Sequence, residues 1–143
     1  MNAKTILEAA LNAAQTIPAE VASLEEMAIT LRASAGCQAV NYDAIRVQSS
    51  PDRGGVEDVA IALADNAAQI RDLQAQLGRA ILAAERVISG CSDPVDRTLL
   101  RRHYILAQDA WTIGSAMYMS VRTVYRRLSR AVAILDQAPG QAG

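Results

Sequence analysis

The sequence predicts an all-α protein: an N-terminal antiparallel helical hairpin of coiled-coil character, followed by a three-helix unit that ends in a helix-turn-helix. Three observations carry this. Residues 3–35 and 56–89 each place apolar side chains in steps of three and four, the spacing of one helical face. Phe is absent, and Trp111 and four tyrosines are the only aromatic residues, too few for the strands of a sandwich or barrel. From Ser92 to Leu135 the chain reads as a capped helix, a second capped helix, a tight turn and a basic helix. At 143 residues, there is room for one compact domain, or a small domain with a helical extension. The expected division is a hairpin over residues 1–91, a helix-turn-helix over 92–138 and a disordered tail over 139–143.

In the first helix, Leu7, Ala10, Ala14, Ile17, Val21, Leu24, Ala28 and Leu31 form the seam. Pro18 removes a backbone donor and costs ~3 kcal/mol inside a helix. A kink or break is expected there, with Thr16 as the cap of the continuing segment. Ser34 to Gly55 is rich in Gly, Ser, Asn and Pro and reads as a loop, mobile around Ser49–Gly55, with a short helical turn over Asn41–Val47. The second long helix carries Leu63, Asn66, Ile70, Leu73, Leu77, Ala80, Ala84 and Val87 on its seam. Asp65, Gln69, Arg71, Asp72, Gln76, Arg79 and Arg86 face away. Asn66 is either a polar register-setting residue within the seam or a solvated side chain near a frayed end. Neither seam is rich in Leu and Ile. Self-association covering Ile61, Ile81 and Ile88 is therefore expected, a dimer before larger assemblies.

In the C-terminal unit, Ser92 and Asp93 are N-cap candidates, and Pro94 suits a first turn. The helix Pro94–Tyr104 is expected to bury Val95, Leu99, Leu100 and Tyr104. Arg97 and Arg101 are either solvated or in contact with phosphate. Asp109 caps a helix Ala110–Met117 with Ile113 and Met117 on its inner edge, Gly114 at a close approach to the next helix and Trp111 in or beside the core. Met117-Tyr118-Met119 forms the turn. Ser120 caps the last helix, whose buried stripe is Val124, Leu128, Ala131 and Leu135. Arg122, Thr123, Tyr125, Arg126, Ser129 and Arg130 then project outward, with Arg127 beside the stripe.

Charge sharpens the reading. Seven arginines and three aspartates lie between Asp93 and Leu135, a local +4 in a chain of net charge −1, so the remainder carries −5. A basic module on an acidic helical body points to an anionic partner. Arginine pairs with guanine O6 and N7, and Ser and Thr meet phosphates or bases. Candidates for base edges are Arg122, Tyr125, Arg126 and Ser129. Candidates for phosphates are Ser120, Thr123, Arg127 and Arg130, helped by the positive helix N-terminus.

Catalytic patterns are absent. His103 is the single histidine, which excludes a multi-histidine metal site within one chain, and no Ser-His-Asp triad is expected. Gly54 and Gly55 lack the Lys-Ser/Thr context of a phosphate loop. No enzyme activity, cofactor or metal is expected. Cys37 and Cys91 read as reduced thiols of a cytoplasmic protein. The N-terminus does not read as a signal peptide, and no run reaches the ~20 apolar residues of a membrane span.

Ser120, Thr123, Val124, Arg127, Leu128, Arg130 and Ala131 fit the form S/P-x-x-T-V-x-x-R-L-x-R-A. The stretch Asp109–Leu135 thereby resembles the region-4 helix-turn-helix of sigma-70-like factors, especially the extracytoplasmic-function type. Trp111-Thr112-Ile113-Gly114 stands where E-E-I-A is usual, and Tyr118 where the turn has glycine. With Gly54, Gly55, Val56, Asp93, Pro94, Arg97, Leu99, Leu100 and Tyr104, the whole layout is similar to phage-encoded proteins related to the RinA and ArpU late-gene activators. That resemblance implies a regulator of phage or prophage late genes in a bacterial cytoplasm, binding double-stranded DNA with residues 120–136 in the major groove. It carries no other sigma region and is not expected to be a complete sigma factor. Two other readings stand beside it. A DNA-packaging component of the small-terminase kind also joins such a module to oligomerising helices, but builds rings. An adaptor would dock on RNA polymerase or an anti-sigma-like partner without binding DNA.

Overall fold

The computed structural model describes residues 2–40 and 49–137, with side chains for 2–35 and 55–137. The Asn41–Val47 turn and the disordered tail expected from the sequence lie outside the described residues. Among the described residues the chain is all-α, with five helices: α1 Ala3–Val40, α2 Ser49–Ser89, α3 Pro94–Leu100, α4 Ala110–Met117 and α5 Val121–Gln137. A π-helical turn, Arg101–Ile105, continues α3. No helix among these residues is long and apolar enough to cross a membrane.

The helices follow from periodicity, with two corrections. Helix α1 runs through Pro18 as one helix, so of the expected kink or break the break does not occur. A single missing donor interrupts one backbone bond, whereas the seam is in phase on both sides. Thr16, expected as a cap, instead donates its hydroxyl to the Asn12 carbonyl within the helix. The expected loop Ser34–Gly55 is shorter at both ends, because α1 continues to Val40 and α2 starts at Ser49. Pro51 falls in the first turn of α2, where its absent N–H forfeits no helical bond.

The chain divides into two compact units, Met1–Ile17 with Ala75–Gly143, and Pro18–Gln74. The boundary expected between residues 91 and 92 thus falls inside the first unit. In the second unit α1 and α2 run antiparallel, with Val21 and Ala28 buried. Asn66 is 2% exposed and donates Nδ2–H to the Leu24 carbonyl at 2.8 Å. It is therefore a buried tie across the hairpin rather than a solvated residue.

The first unit holds one continuous core. Ala3, Leu7 and Ala10 of α1 and Ala84, Val87 and Ile88 of α2 pack with Leu99 and Leu100, Ala110 and Ile113, and the Val124–Leu128–Ala131–Val132–Leu135 stripe. Ile88, expected to await a partner copy, is wholly buried here by the chain's own C-terminal helices. Polar ties reinforce the junction. Asn2 Oδ1 accepts from Thr5 N–H at the start of α1, and Asp136 Oδ1 accepts from Lys4 N–H at 2.9 Å. The last turn of α5 therefore helps cap the first helix of the chain.

Candidate nucleic-acid interface

Each C-terminal helix starts on a side-chain cap. Asp93 Oδ1 accepts from Val95 N–H at 2.8 Å, ahead of Pro94 in the first turn of α3. Asp109 Oδ1 accepts from Thr112 N–H at 2.7 Å, a bond that holds its carboxyl below the ordinary aspartate range. Ser120 Oγ accepts from Thr123 N–H at 3.1 Å and donates to Thr123 Oγ1 at 2.8 Å. Three of the orphan-donor problems that open a helix are thus solved within the chain.

The turn between α4 and α5 is the sharpest feature. Tyr118 sits at φ 58°, ψ 46°, in the left-handed region, and Met119 N–H reaches back to the Gly114 carbonyl at 3.0 Å. This is the helix ending that glycine usually provides. The tyrosine ring is 96% exposed, so the conformation gains nothing from burial. Gly114 is needed for a different neighbour than expected: a Cβ there would lie 2.5 Å from the Met119 carbonyl oxygen. It is the turn backbone, rather than the following helix, that crosses close over α4.

Helix α5 presents two faces. Val124, Leu128, Ala131, Val132 and Leu135 are buried, as the spacing predicts. Ser120, Arg122, Tyr125, Arg126, Ser129 and Arg130 are exposed, and Thr123 is half-buried. Arg122, Arg126 and Arg130 step by four and line one side of the helix. Among the described residues none of the three has an ion-pair partner.

Arg127 departs from its expected place among the phosphate contacts. Its Nε donates to Asp96 Oδ1 at 2.9 Å and its Nη2 to Asp93 Oδ2 at 3.0 Å, with only 23% of its side chain exposed. Asp96 is 5% exposed. Arg127 is thus a fastener between α5 and α3, and a buried carboxylate depends on it. The spacing of Asp93 and Asp96, three apart on one helix face, was the available signal.

The other arginines of the module are also engaged. Arg97 Nη1 donates to the carbonyls of Cys91 at 2.7 Å and Ser92 at 3.1 Å, just beyond the end of α2. Arg101 grips both Glu85 oxygens through Nε and bonds Oε1 through Nη2 at 2.6 Å. This bond holds the Glu85 carboxyl low, and the guanidinium correspondingly high. Arg102 donates to Gln108 Oε1 at 3.2 Å. Arg97 and Arg101 therefore tie elements together; they are neither simply solvated nor aimed at phosphate. Nothing in the local sequence marked Glu85 as a partner of a residue in the next helix.

Apolar placement brings two more corrections. Trp111, expected in or beside the core, is 74% exposed, and with Tyr118, Gly114, Ser115, Met119, Ser120 and Val121 it borders a shallow groove. Val95 is 37% exposed rather than buried. Tyr104 is half-buried, and burial, with Glu8 and Asp136 nearby, pushes its phenol up. His103 lies at the helix edge, its Nδ1 3.3 Å from the Gln108 carbonyl. Cys91 is a free, buried thiol. Among the described residues no three His, Cys, Asp or Glu side chains converge as a metal site would require.

A family model described as a protein of unknown function, DUF1492, matches residues 38–136, a span that takes in α2, α3, α4 and all but the last residue of α5. No curated protein and no solved structure matches the chain.

Proposed function

The chain belongs to the DUF1492 family, and we propose that it is a sequence-specific double-stranded DNA-binding regulator of transcription, of phage or prophage origin, without enzymatic activity or a cofactor. The phage association of the family supports the origin. One observation carries the DNA reading: the arginines of the module fall into two classes. Arg97, Arg101, Arg102 and Arg127 are spent on bonds inside the chain. Arg122, Arg126 and Arg130 stand together on the outer face of the second helix of a helix-turn-helix, with Tyr125 and Ser129 between them. Folding places these three cations in water, where a line of cationic donors suits guanine edges and phosphates.

In this reading α5 lies in the major groove. Arg122, Tyr125, Arg126 and Ser129 meet base edges, and Arg130, with the Ser120–Thr123 end of the helix, meets phosphate. Arg127 is removed from the contacting set. The likeness to sigma region 4 rests on the motif S/P-x-x-T-V-x-x-R-L-x-R-A, and control of late genes rests on the layout shared with RinA- and ArpU-related phage proteins.

The test is a binding-site selection on random duplex DNA, followed by fluorescence anisotropy with the selected duplex. Arg126→Ala is expected to cost ~1–3 kcal/mol and to relax sequence preference. Affinity should fall steeply with salt. Unchanged affinity in the Arg122→Ala/Arg126→Ala double variant would sink the assignment.

A second reading has its own observation. Trp111 and Tyr118 are large exposed apolar side chains beside one groove, and such patches mark protein partners. An adaptor that docks there on RNA polymerase predicts no salt-dependent DNA affinity, and loss of polymerase capture in Trp111→Ser.

A further inference from the structure

We propose that the outward face of α2 is a self-complementary docking surface for a second copy of this chain, aligned antiparallel, with register set by Asp65, Asp72, Arg79 and Arg86. This deepens the self-association expected of a regulator but does not rest on DNA binding.

The seam of α2 that faces α1 runs through Leu63, Asn66, Ile70, Leu73 and Leu77. About half a helical turn away lies a second series, Ile61, Ala68, Ala75 and Leu82, at intervals of seven residues. Ile61 is 59% exposed and Leu82 60% exposed, so the chain itself leaves the two largest members of the series uncovered. Gly78 belongs to the same face. A Cβ there would meet nothing within 4 Å, so the chain's own packing gives no reason for a residue that weakens a helix at its middle.

The occupant is argued from the order of charge along this face. Beside the apolar series runs another heptad position: Asp58, Asp65, Asp72, Arg79 and Arg86, acidic first and basic last. All five are exposed. Among the described residues none has an ion-pair partner within the chain. In an antiparallel pair of helices a flanking heptad position lies opposite the same position of its partner, and flanking charges set orientation. Asp72 and Arg79 are equidistant from the point between Ala75 and Gln76, and so are Asp65 and Arg86. A two-fold axis at that point sets Asp72 against Arg79 and Asp65 against Arg86, twice each, with Ala75 at the crossing. A parallel pair, in which this position faces a different one, draws nothing from the order.

The test is sedimentation velocity of the full chain without DNA, with far-UV circular dichroism for helicity. The wild type should run as a dimer at micromolar concentration. The all-basic variant Asp65→Arg/Asp72→Arg and the all-acidic variant Arg79→Asp/Arg86→Asp should each stay helical and weaken self-association at least tenfold. Mixed in equal amounts, they should regain a dimer containing one chain of each. A wild-type monomer or ring overturns the proposal, as does a dimer indifferent to both variants or a mixture of helical variants that fails to associate. Should either charge variant lose helicity, Leu82→Glu probes the same face, and an undiminished dimer in that variant overturns the proposal equally. Because no DNA is present, failure here leaves the reading of α5 standing, and failure of that reading leaves this one standing.

Discussion

The two compact units solve the same problem with different means. Pro18–Gln74 is held by an apolar seam of modest side chains, Val21, Ala28, Leu63 and Ile70 among them, and, among the described residues, a single buried amide, Asn66. The unit of Met1–Ile17 with Ala75–Gly143 adds three aspartate or serine caps, a buried Arg127–Asp96 pair, an Arg101–Glu85 clasp and a turn in the left-handed region. A seam needs only period and small size, so many sequences satisfy it. A fold of short helices cannot rely on period, because isolated helices of this length are marginal in water. It must specify its ends and its corners. Fragility to single polar substitutions should therefore be concentrated in the unit that carries the arginine face.

The largest effect should come from Arg127→Ala. It leaves Asp96 buried with no cation, which by analogy with other buried pairs costs about 3–5 kcal/mol. Urea denaturation should show that loss while Arg126→Ala, one residue away and exposed, stays within about 0.5 kcal/mol of wild type. DNA affinity should invert the ranking, weakening in Arg126→Ala and persisting in Arg127→Ala wherever that variant is folded. Equal stability losses in the two variants would erase the distinction between the arginines of the core and those of the outer face.

That distinction marks the limit of what could be read from the chain alone. The helices, their order, the caps at Asp93, Asp109 and Ser120, and the Val124–Leu128–Leu135 stripe were legible because each rests on spacing or on a residue type with one local use. The exposure of Arg122, Arg126 and Arg130 followed from the stripe. The fate of Arg127 did not, because its partners lie 31 and 34 residues away and only the packing of α5 on α3 brings them within reach. Ile88 and Trp111 failed in opposite directions for the same reason. Both are apolar, and hydrophobicity alone does not say which surface a non-local neighbour covers. The end of α1 and the start of α2 are not legible because Gly and Pro read as breakers in sequence, although Pro51 occupies the one turn of a helix that tolerates it.

Tyr118 offers a gain instead of a loss. Its left-handed backbone costs an L-residue roughly 1–2 kcal/mol, and its ring is too exposed to repay that by burial. Tyr118→Gly should raise stability by about 1 kcal/mol, visible as a higher thermal midpoint. If the proposed polymerase-facing groove uses the ring, the same variant should lose that partner while gaining stability. A lowered midpoint would mean that the turn is held by the tyrosine itself.

The smallest effect should fall in the hairpin, at Asn66. Its Nδ2–H reaches the Leu24 carbonyl, an oxygen that the helical ladder of α1 already supplies with a donor. Loss of the amide therefore orphans no backbone group, and the cost of Asn66→Ala should be near 1 kcal/mol, the usual net worth of one hydrogen bond with some packing. Asn66→Leu should recover that loss, since the site is 2% exposed and flanked by Leu24, Leu63 and Ile70. What the leucine cannot restore is direction: the amide accepts only one pairing of α1 with α2, whereas a seam of alanine and leucine is satisfied nearly as well one heptad away. Amide hydrogen exchange across residues 18–35 should therefore become faster in Asn66→Leu although the global unfolding free energy is unchanged. Protection equal to wild type would show that the side chains of the seam set the register unaided, and would weaken the contrast between a unit built on period and a unit built on polar ties.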